Sequence, residues 1–147
     1  MSKADSIYSG ILKYLVVLIV MSYSGTTLAT VGKVVYGYGN NHAFDSDGNR
    51  RVIKKGSKIG EGDTLVTGSG RMHVRLADGG FISIYPDSEY KIEKFKFSGA
   101  VETGQDGKLK PVQDKKENKG FFSLLKGAAR QVTGILGRTY NDNFRFK

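Results

Sequence analysis

Two imidazoles, His42 and His73, are the side chains here that titrate near neutrality, and the chain of 147 residues contains no cysteine. A lone histidine needs a carboxylate, a nucleophile or a metal beside it to do chemistry, and the spacing brings no such partner to either, so neither is assigned a role. The missing thiols exclude a disulfide framework, a zinc-thiolate site, a cysteine nucleophile, an iron–sulfur cluster and an acylated lipoprotein cysteine. No G-x-S-x-G elbow, nucleotide loop or zinc-protease histidine pair occurs in the sequence. The run Phe44-Asp45-Ser46-Asp47-Gly48-Asn49 has part of a calcium loop's composition. It lacks the bidentate glutamate and the expected glycine position, which makes it a solvent-facing turn. Asp87 and Glu89 are the nearest approach to a carboxylate dyad, and they fall beside a turn. The expectation is a protein that is not an enzyme and needs no cofactor and no metal.

Cations are the remaining chemical resource. The net charge is +9 and the pI about 9.7. Residues 30–107 carry 11 basic and 10 acidic side chains, whereas residues 108–147 carry 10 basic and 3 acidic ones. The excess therefore belongs to the C-terminal part. Lys115, Lys116, Lys119, Lys126, Arg130 and Arg138 are the candidate partner-binding residues, suited to anionic lipid heads, an acidic envelope polymer or an acidic protein patch.

The compartment follows from the N-terminus. Lys3 and Lys13 precede an apolar run from Tyr14 to Met21, and the small, polar stretch Ser22 to Thr27 leads into Thr27-Leu28-Ala29, a small-x-small cleavage pattern. The run is about half of the roughly 20 residues that a spanning helix needs. Residues 1–29 are read as a signal peptide, with an uncleaved anchor as the rival, and the chain as periplasmic or secreted. An exported chain seldom meets nucleic acid, and no recognition signature for it is present, so no nucleic-acid partner is expected.

The elements that must position these groups are strands. With Gly at 20 and Pro at 2, the chain is rich in turns. Apolar residues alternate with polar ones at Met72, Val74 and Leu76, at Phe81 or Ile82 with Ile84, and from Tyr90 and Ile92 to Phe95 and Phe97. Turn chemistry ends each run: Glu61-Gly62-Asp63, Thr67-Gly68-Ser69-Gly70, Asp78-Gly79-Gly80 and Pro86-Asp87-Ser88. An all-β sandwich or roll in one domain over residues 30–147 is the predicted architecture. A charged hairpin with its tip at Gln105-Asp106-Gly107 is predicted as an insertion over about 98–120. From Phe121 to Leu136 the stripe Phe121, Leu124, Leu125, Ala128, Val132, Ile135 and Leu136 fits a helix slightly better than a strand, although Gly127, Gly134 and Gly137 weaken that reading.

The residues Lys55-Gly56, Ile59, Gly62-Asp63, Leu65, Thr67-Gly68, Met72, Val74, Leu76, Asp78-Gly79, Ile82, Ile84, Pro86, Ser88, Tyr90 and Ile92, in this order and spacing, resemble the core motif of the FecR family. Val31-Gly32-Lys33-Val34 is similar to that family's opening strand. Phe122 to Arg130 is similar to its Leu-Leu-x-Gly-x-x-Arg segment, and Asn143-Phe144-Arg145-Phe146 to the strand that follows. The resemblance implies a periplasmic β domain, and a strand with a short helical turn where the stripe alone favours a helix. For full-length regulators it also implies contact with the signalling domain of an outer-membrane transporter and relay to an extracytoplasmic-function sigma factor. Only Met1 to Lys13 precede the apolar run, which leaves no room for the cytoplasmic anti-sigma segment. The family pattern continues beyond the point where Lys147 ends, so a closing strand is expected to be missing or supplied by a neighbour. Asp63, Thr67 and Asp78 are read as turn-forming scaffold. The functional expectation is a non-catalytic binding module whose partner is an envelope or periplasmic protein or an anionic envelope polymer. The alternatives are a truncated or structural product without its own activity, and an envelope polysaccharide-binding protein.

Overall fold

The computed structural model describes residues 30–99, 101–111 and 117–147. The signal-peptide reading of residues 1–29 falls outside the described residues, as do Lys115 and Lys116. The domain is all-β. Among the described residues thirteen strands run in the order β1 (Thr30–Tyr38), β2 (Asn41–Phe44), β3 (Arg50–Val52), β4 (Lys58–Gly60), β5 (Thr64–Thr67), β6 (Arg71–Leu76), β7 (Phe81–Ile84), β8 (Glu89–Lys96), β9 (Val101–Thr103), β10 (Leu109–Pro111), β11 (Lys119–Lys126), β12 (Ala129–Val132) and β13 (Phe144–Phe146). A five-residue helix α1 (Ile135–Thr139) and a 3-10 turn (Asn141–Asn143) precede β13.

Two sheets share one core. The first has the order β12-β7-β6-β1-β4 and the second β13-β11-β8-β5-β2-β3, while β9 and β10 form a separate hairpin. Val31, Val34, Met72, Val74, Ile82 and Ile84 of the first sheet meet Leu65, Tyr90, Ile92, Phe95 and Phe122 of the second in a single buried cluster. Alternation explains the division: in β6 the buried residues are Met72, Val74 and Leu76, and in β7 Ile82 and Ile84. In β8 the phase changes after Ile92. The ladder to β11 shifts between the pairs Lys94–Phe121 and Ile92–Phe122, leaving Glu93 as the extra residue, and Phe95 thereby returns to the core. The Tyr90 hydroxyl donates to Gln131 Oε1 at 2.5 Å and so ties β8 of one sheet to β12 of the other. Burial pushes the pKa of that phenol upward.

The helix-like stripe from Phe121 to Leu136 resolves into β11 and β12, followed by the single-turn helix α1. Gly127 decides this. Its φ is +78°, and a Cβ there would lie 2.3 Å from Ser88 Oγ, so the chain must turn between the two strands rather than coil through them. Beyond α1, β13 runs parallel to β11, with Gly120 opposite Phe144 and Phe122 opposite Phe146. The rings of Phe144 and Phe146 pack at 5.7 Å from Phe122 and 6.1 Å from Tyr90. A short hairpin occupies the predicted insertion, with β9 and β10 closed by a turn in which Gly104 N donates to Lys108 O and Gly107 N to Gly104 O.

The turn between β6 and β7 anchors the C-terminal segment. Asp78 is fully buried. Its carboxylate accepts from Gly80 N at 3.0 Å and Leu136 N at 3.2 Å, and its carbonyl accepts from Ile135 N at 3.0 Å. Gly134 permits this contact, since a Cβ there would come 2.4 Å from Gly80 N. Burial holds the Asp78 carboxyl above its ordinary value of 3.8, against the opposing pull of the backbone donors. The folded chain thus keeps this proton to higher pH than the unfolded chain does, and in that window unfolding releases it, so rising pH favours unfolding. Urea unfolding at a series of pH values is expected to show the unmodified protein losing stability, relative to Asp78→Asn, as pH rises from about the ordinary carboxyl value through the raised one. Parallel profiles for the two proteins would contradict this. Asp78→Ala, which strands both N–H groups, is expected to cost about 1–3 kcal/mol at every pH.

Candidate functional site

The outward face of the five-stranded sheet is where chemistry-bearing residues gather. Its rows follow from the ladder registers. In the first row Val132, Phe81, Arg75, Lys33 and Lys58 lie opposite one another from β12 across to β4. The second row runs Arg130, Ser83, His73 and Tyr36. The third places Tyr38 opposite Arg71, whose guanidinium lies over the Tyr85 ring at 4.6 Å.

Two tyrosines stand on this face because β1 is bulged. Unbroken alternation would put Val34, Tyr36 and Tyr38 on the same side. The register shifts between Val34–Val74 and Tyr36–His73, so Val35 is the extra residue. Val34 consequently stays in the core at 1% exposure while Tyr36 and Tyr38 emerge at 48% and 50%. The rings form a continuous chain, with centroids 6.0 Å apart for Tyr36 and Tyr38, 5.2 Å for Tyr36 and His73, and 5.4 Å for His73 and Phe81. Arg75 lies over Phe81 at 5.7 Å. Burial first and then the Arg71 charge lower the His73 pKa, which disfavours the imidazolium on this face.

The electrostatics of the face are one-sided. The strands β1, β4, β6, β7 and β12 contain no Asp or Glu, and they carry Lys33, Lys58, Arg71, Arg75 and Arg130. Lys33 is directly opposite both Lys58 and Arg75. Like charges in directly opposed positions destabilise a sheet. Among the described residues neither ion pair includes a cation of this face: Lys96 pairs with Glu117 on the other sheet, and Arg51 pairs with Asp63 beside the β4 edge, where Arg51 also donates to Lys58 O at 3.4 Å and Asp45 and Asp63 border one depression with Lys58.

At its β7–β12 end the face runs into a cleft of about 400 Å³, lined by Arg75, Phe81, Lys108, Val132, Gly134 and Arg138. Three cations from β6, the β9–β10 hairpin and α1 thus border one opening.

Of the six basic residues predicted from the C-terminal charge excess, the four among the described residues are dispersed. Arg130 joins the second row of the open face and Arg138 the cleft. Lys119 lies on the other sheet in a shallow depression with Lys96, Glu117 and Asn143, and Lys126 ends β11 opposite Glu89. Lys115 and Lys116 lie outside the described residues. The two histidines are also apart, His42 on the second sheet edge-to-face with Phe44 at 5.4 Å, and His73 on the first. No group of three or more metal-capable side chains occurs among the described residues.

The residues of the sequence motif are consumed by the scaffold. The Asp63 carboxylate takes both nitrogens of the Arg51 fork and accepts from Gly60 N at 2.7 Å. Thr67 Oγ1 donates to Tyr85 O at 2.5 Å and accepts from Ser88 N at 3.1 Å. Ser88 Oγ donates to Ala128 O and accepts from Ala128 N, which fastens the β7–β8 turn to the β11–β12 turn. In the calcium-like fragment, Asp45 accepts from Asp47 N, Asn49 N and Asn49 Nδ2, and these bonds hold its carboxyl below the usual range.

No protein-family model matches the chain, and no curated protein matches it. Among solved structures it is similar to one described as a "Cell surface anchoring domain", with 31% sequence identity, coverage of 41% of this chain and 80% of that chain, and a TM-score of 0.40.

The opposed cations generate a stability prediction. Lys58→Glu, which places an anion opposite Lys33, is expected to raise stability by about 0.2–1 kcal/mol at low ionic strength. The gain should shrink toward zero in about 1 M salt, where the screening length falls to a few ångströms. Urea unfolding at the two salt concentrations checks both statements, and a loss of stability at low salt would contradict them.

Proposed function

We propose that this chain is an exported, FecR-like binding module of the cell envelope, non-catalytic, which holds an anionic partner on the outward face of its five-stranded sheet. One observation carries the reading: five cations stand on strands that contain no carboxylate, with three of them, Lys58, Lys33 and Arg75, directly opposed. Folding gains nothing from that arrangement, whereas an anion bound across the row removes the repulsion and adds attraction. The half-exposed Tyr36 and Tyr38 supply contact area at low conformational cost beside the charges. The export signal read in residues 1–29 supports a partner outside the cytoplasm, an envelope or periplasmic protein or an envelope polymer. The motif resemblance supports the same compartment. Within this reading Arg130 and Arg138 take part in binding, and Lys119 and Lys126 are solvated surface.

Fractionation of cells producing the full chain with a C-terminal tag tests this. The tag is expected outside the cytoplasm, retained on envelope material and released by salt. Arg75→Glu combined with Arg130→Glu, both exposed positions, is expected to move the protein into the soluble exported fraction. A cytoplasmic tag, or retention indifferent to the double charge reversal, would overturn the reading.

A further inference from the structure

We infer that the anionic partner is an acidic polysaccharide, bound with sugar rings against Tyr36 and Tyr38 and with a uronate carboxylate in the cleft between Arg75, Lys108 and Arg138. This rests on the reading of the open face as the binding surface, and it adds the chemical class of the ligand.

The face asks for a ligand that is amphipathic on a small scale. A pyranose ring presents C–H patches on its faces and hydroxyl groups around its rim, and a uronate adds one carboxylate per residue. Tyr36 and Tyr38 offer flat apolar area with a hydroxyl at the edge, half exposed, while the exposed aliphatic Val132 of the same face stands apart from them beside the cleft. The cation rows flank that aromatic chain on both sides, so a polymer lying on the rings passes guanidinium or ammonium groups at each step. Arginine suits this role because its planar fork matches a carboxylate with two parallel hydrogen bonds. The cleft continues the same track, since Arg75 and Phe81 belong to both the face and the cleft wall.

A single-stranded nucleic acid also combines charge with planar rings, and the ring geometry argues against it. Consecutive bases stack on parallel, uncovered aromatic faces. Here Tyr36 and Tyr38 meet at 62°, and the faces of Phe81 and Tyr85 are each covered by an arginine. Pyranose units tolerate the irregular angles, because each ring offers its own face without stacking on the next. A purely acidic polypeptide would use the cations and leave the tyrosines without a role.

The test uses the protein purified from producing cells in the form they accumulate, titrated calorimetrically with polygalacturonate, its methyl ester, dextran, polyglutamate and an oligothymidylate. Polygalacturonate is expected to bind, with affinity falling at least about tenfold on methyl esterification and no binding to dextran. Tyr36→Ala with Tyr38→Ala is expected to weaken polygalacturonate by about tenfold or more and to leave polyglutamate unchanged. The Tyr36→Phe, Tyr38→Phe protein, which keeps the rings, should bind as the unmodified one does and so controls for folding. Lys108→Gln with Arg138→Gln is expected to weaken both polyanions. Equal affinity for polyglutamate or oligothymidylate, or an alanine double variant that binds polygalacturonate undiminished, would overturn the inference. If envelope retention still depends on Arg75 and Arg130 while no polysaccharide binds, the ligand class falls and the binding-module reading stands.

Discussion

One inserted residue, Val35, sets what the first sheet shows to solvent. A strand paired without interruption repeats every second residue, so Val34, Tyr36 and Tyr38 would share a side. Either the tyrosines would crowd the core or Val34 would leave it. The bulge at Val35 breaks the phase, keeping Val34 against Val74 in the interior and sending both rings outward beside His73 and Arg71. Tyr36 and Tyr38 take their places in the aromatic chain from that one change of register, whereas the row of Phe81, Arg75, Lys33 and Lys58 is set by the pairing of β7, β6, β1 and β4 on the other side of it. A second bulge at Glu93 does the opposite service in the other sheet, returning Phe95 to the core.

A division of labour results between the two sides of each strand. Inward residues and turn residues are spent on folding. Asp63, Thr67, Asp78 and Ser88 are buried, and each has its hydrogen-bonding capacity taken up by neighbouring backbone or by Arg51. Buried polar groups satisfied in this way fix turn geometry and offer nothing to a ligand. The outward residues of the first sheet are less committed, with Arg71 and Arg75 lying over the rings of Tyr85 and Phe81 and Arg75 donating to Gly79 O at 3.4 Å. Arg75 and Arg130 remain exposed, and Lys33, Lys58 and Arg75 endure one another's charge. Chemistry capable of recognition is concentrated where folding leaves the side chains unspent.

Charge shows why a linear count misleads. Residues 30–107 are almost neutral in sum, yet their acids sit in turns, in β8 and in the hairpin. Their cations include four of the five on the carboxylate-free sheet. Pairing β1 with both β4 and β6 brings Lys58, Lys33 and Arg75 into one row from positions far apart in the chain. The C-terminal excess, in contrast, divides between the two sheets, with Arg130 and Arg138 reaching the face and Lys119 and Lys126 turned to the other layer.

Local sequence was sufficient for whatever depends on local chemistry. Alternation of apolar residues foretold β6, β7 and β8, and Asp78-Gly79 foretold the tight turn joining the first two, because period-two burial and turn residues act over a few positions. Even the outward set Arg71, His73 and Arg75 was legible as the complement of the buried one, whereas alternation alone left Phe81 and Ile82 open as the inward residue of β7. The path from Phe121 to Leu136 was not, since its apolar spacing serves a helix as well as strands until Gly127 packs against Ser88. Nor was the site itself. Unbroken alternation places Tyr36 and Tyr38 with Val34, pairing with β6 inserts the bulge that turns them outward, and the cation row exists only once strand order is set. Residue type and spacing determine which side chains are available for burial and turning; neighbours distant in sequence determine register, and register alone decides which of them face the solvent together.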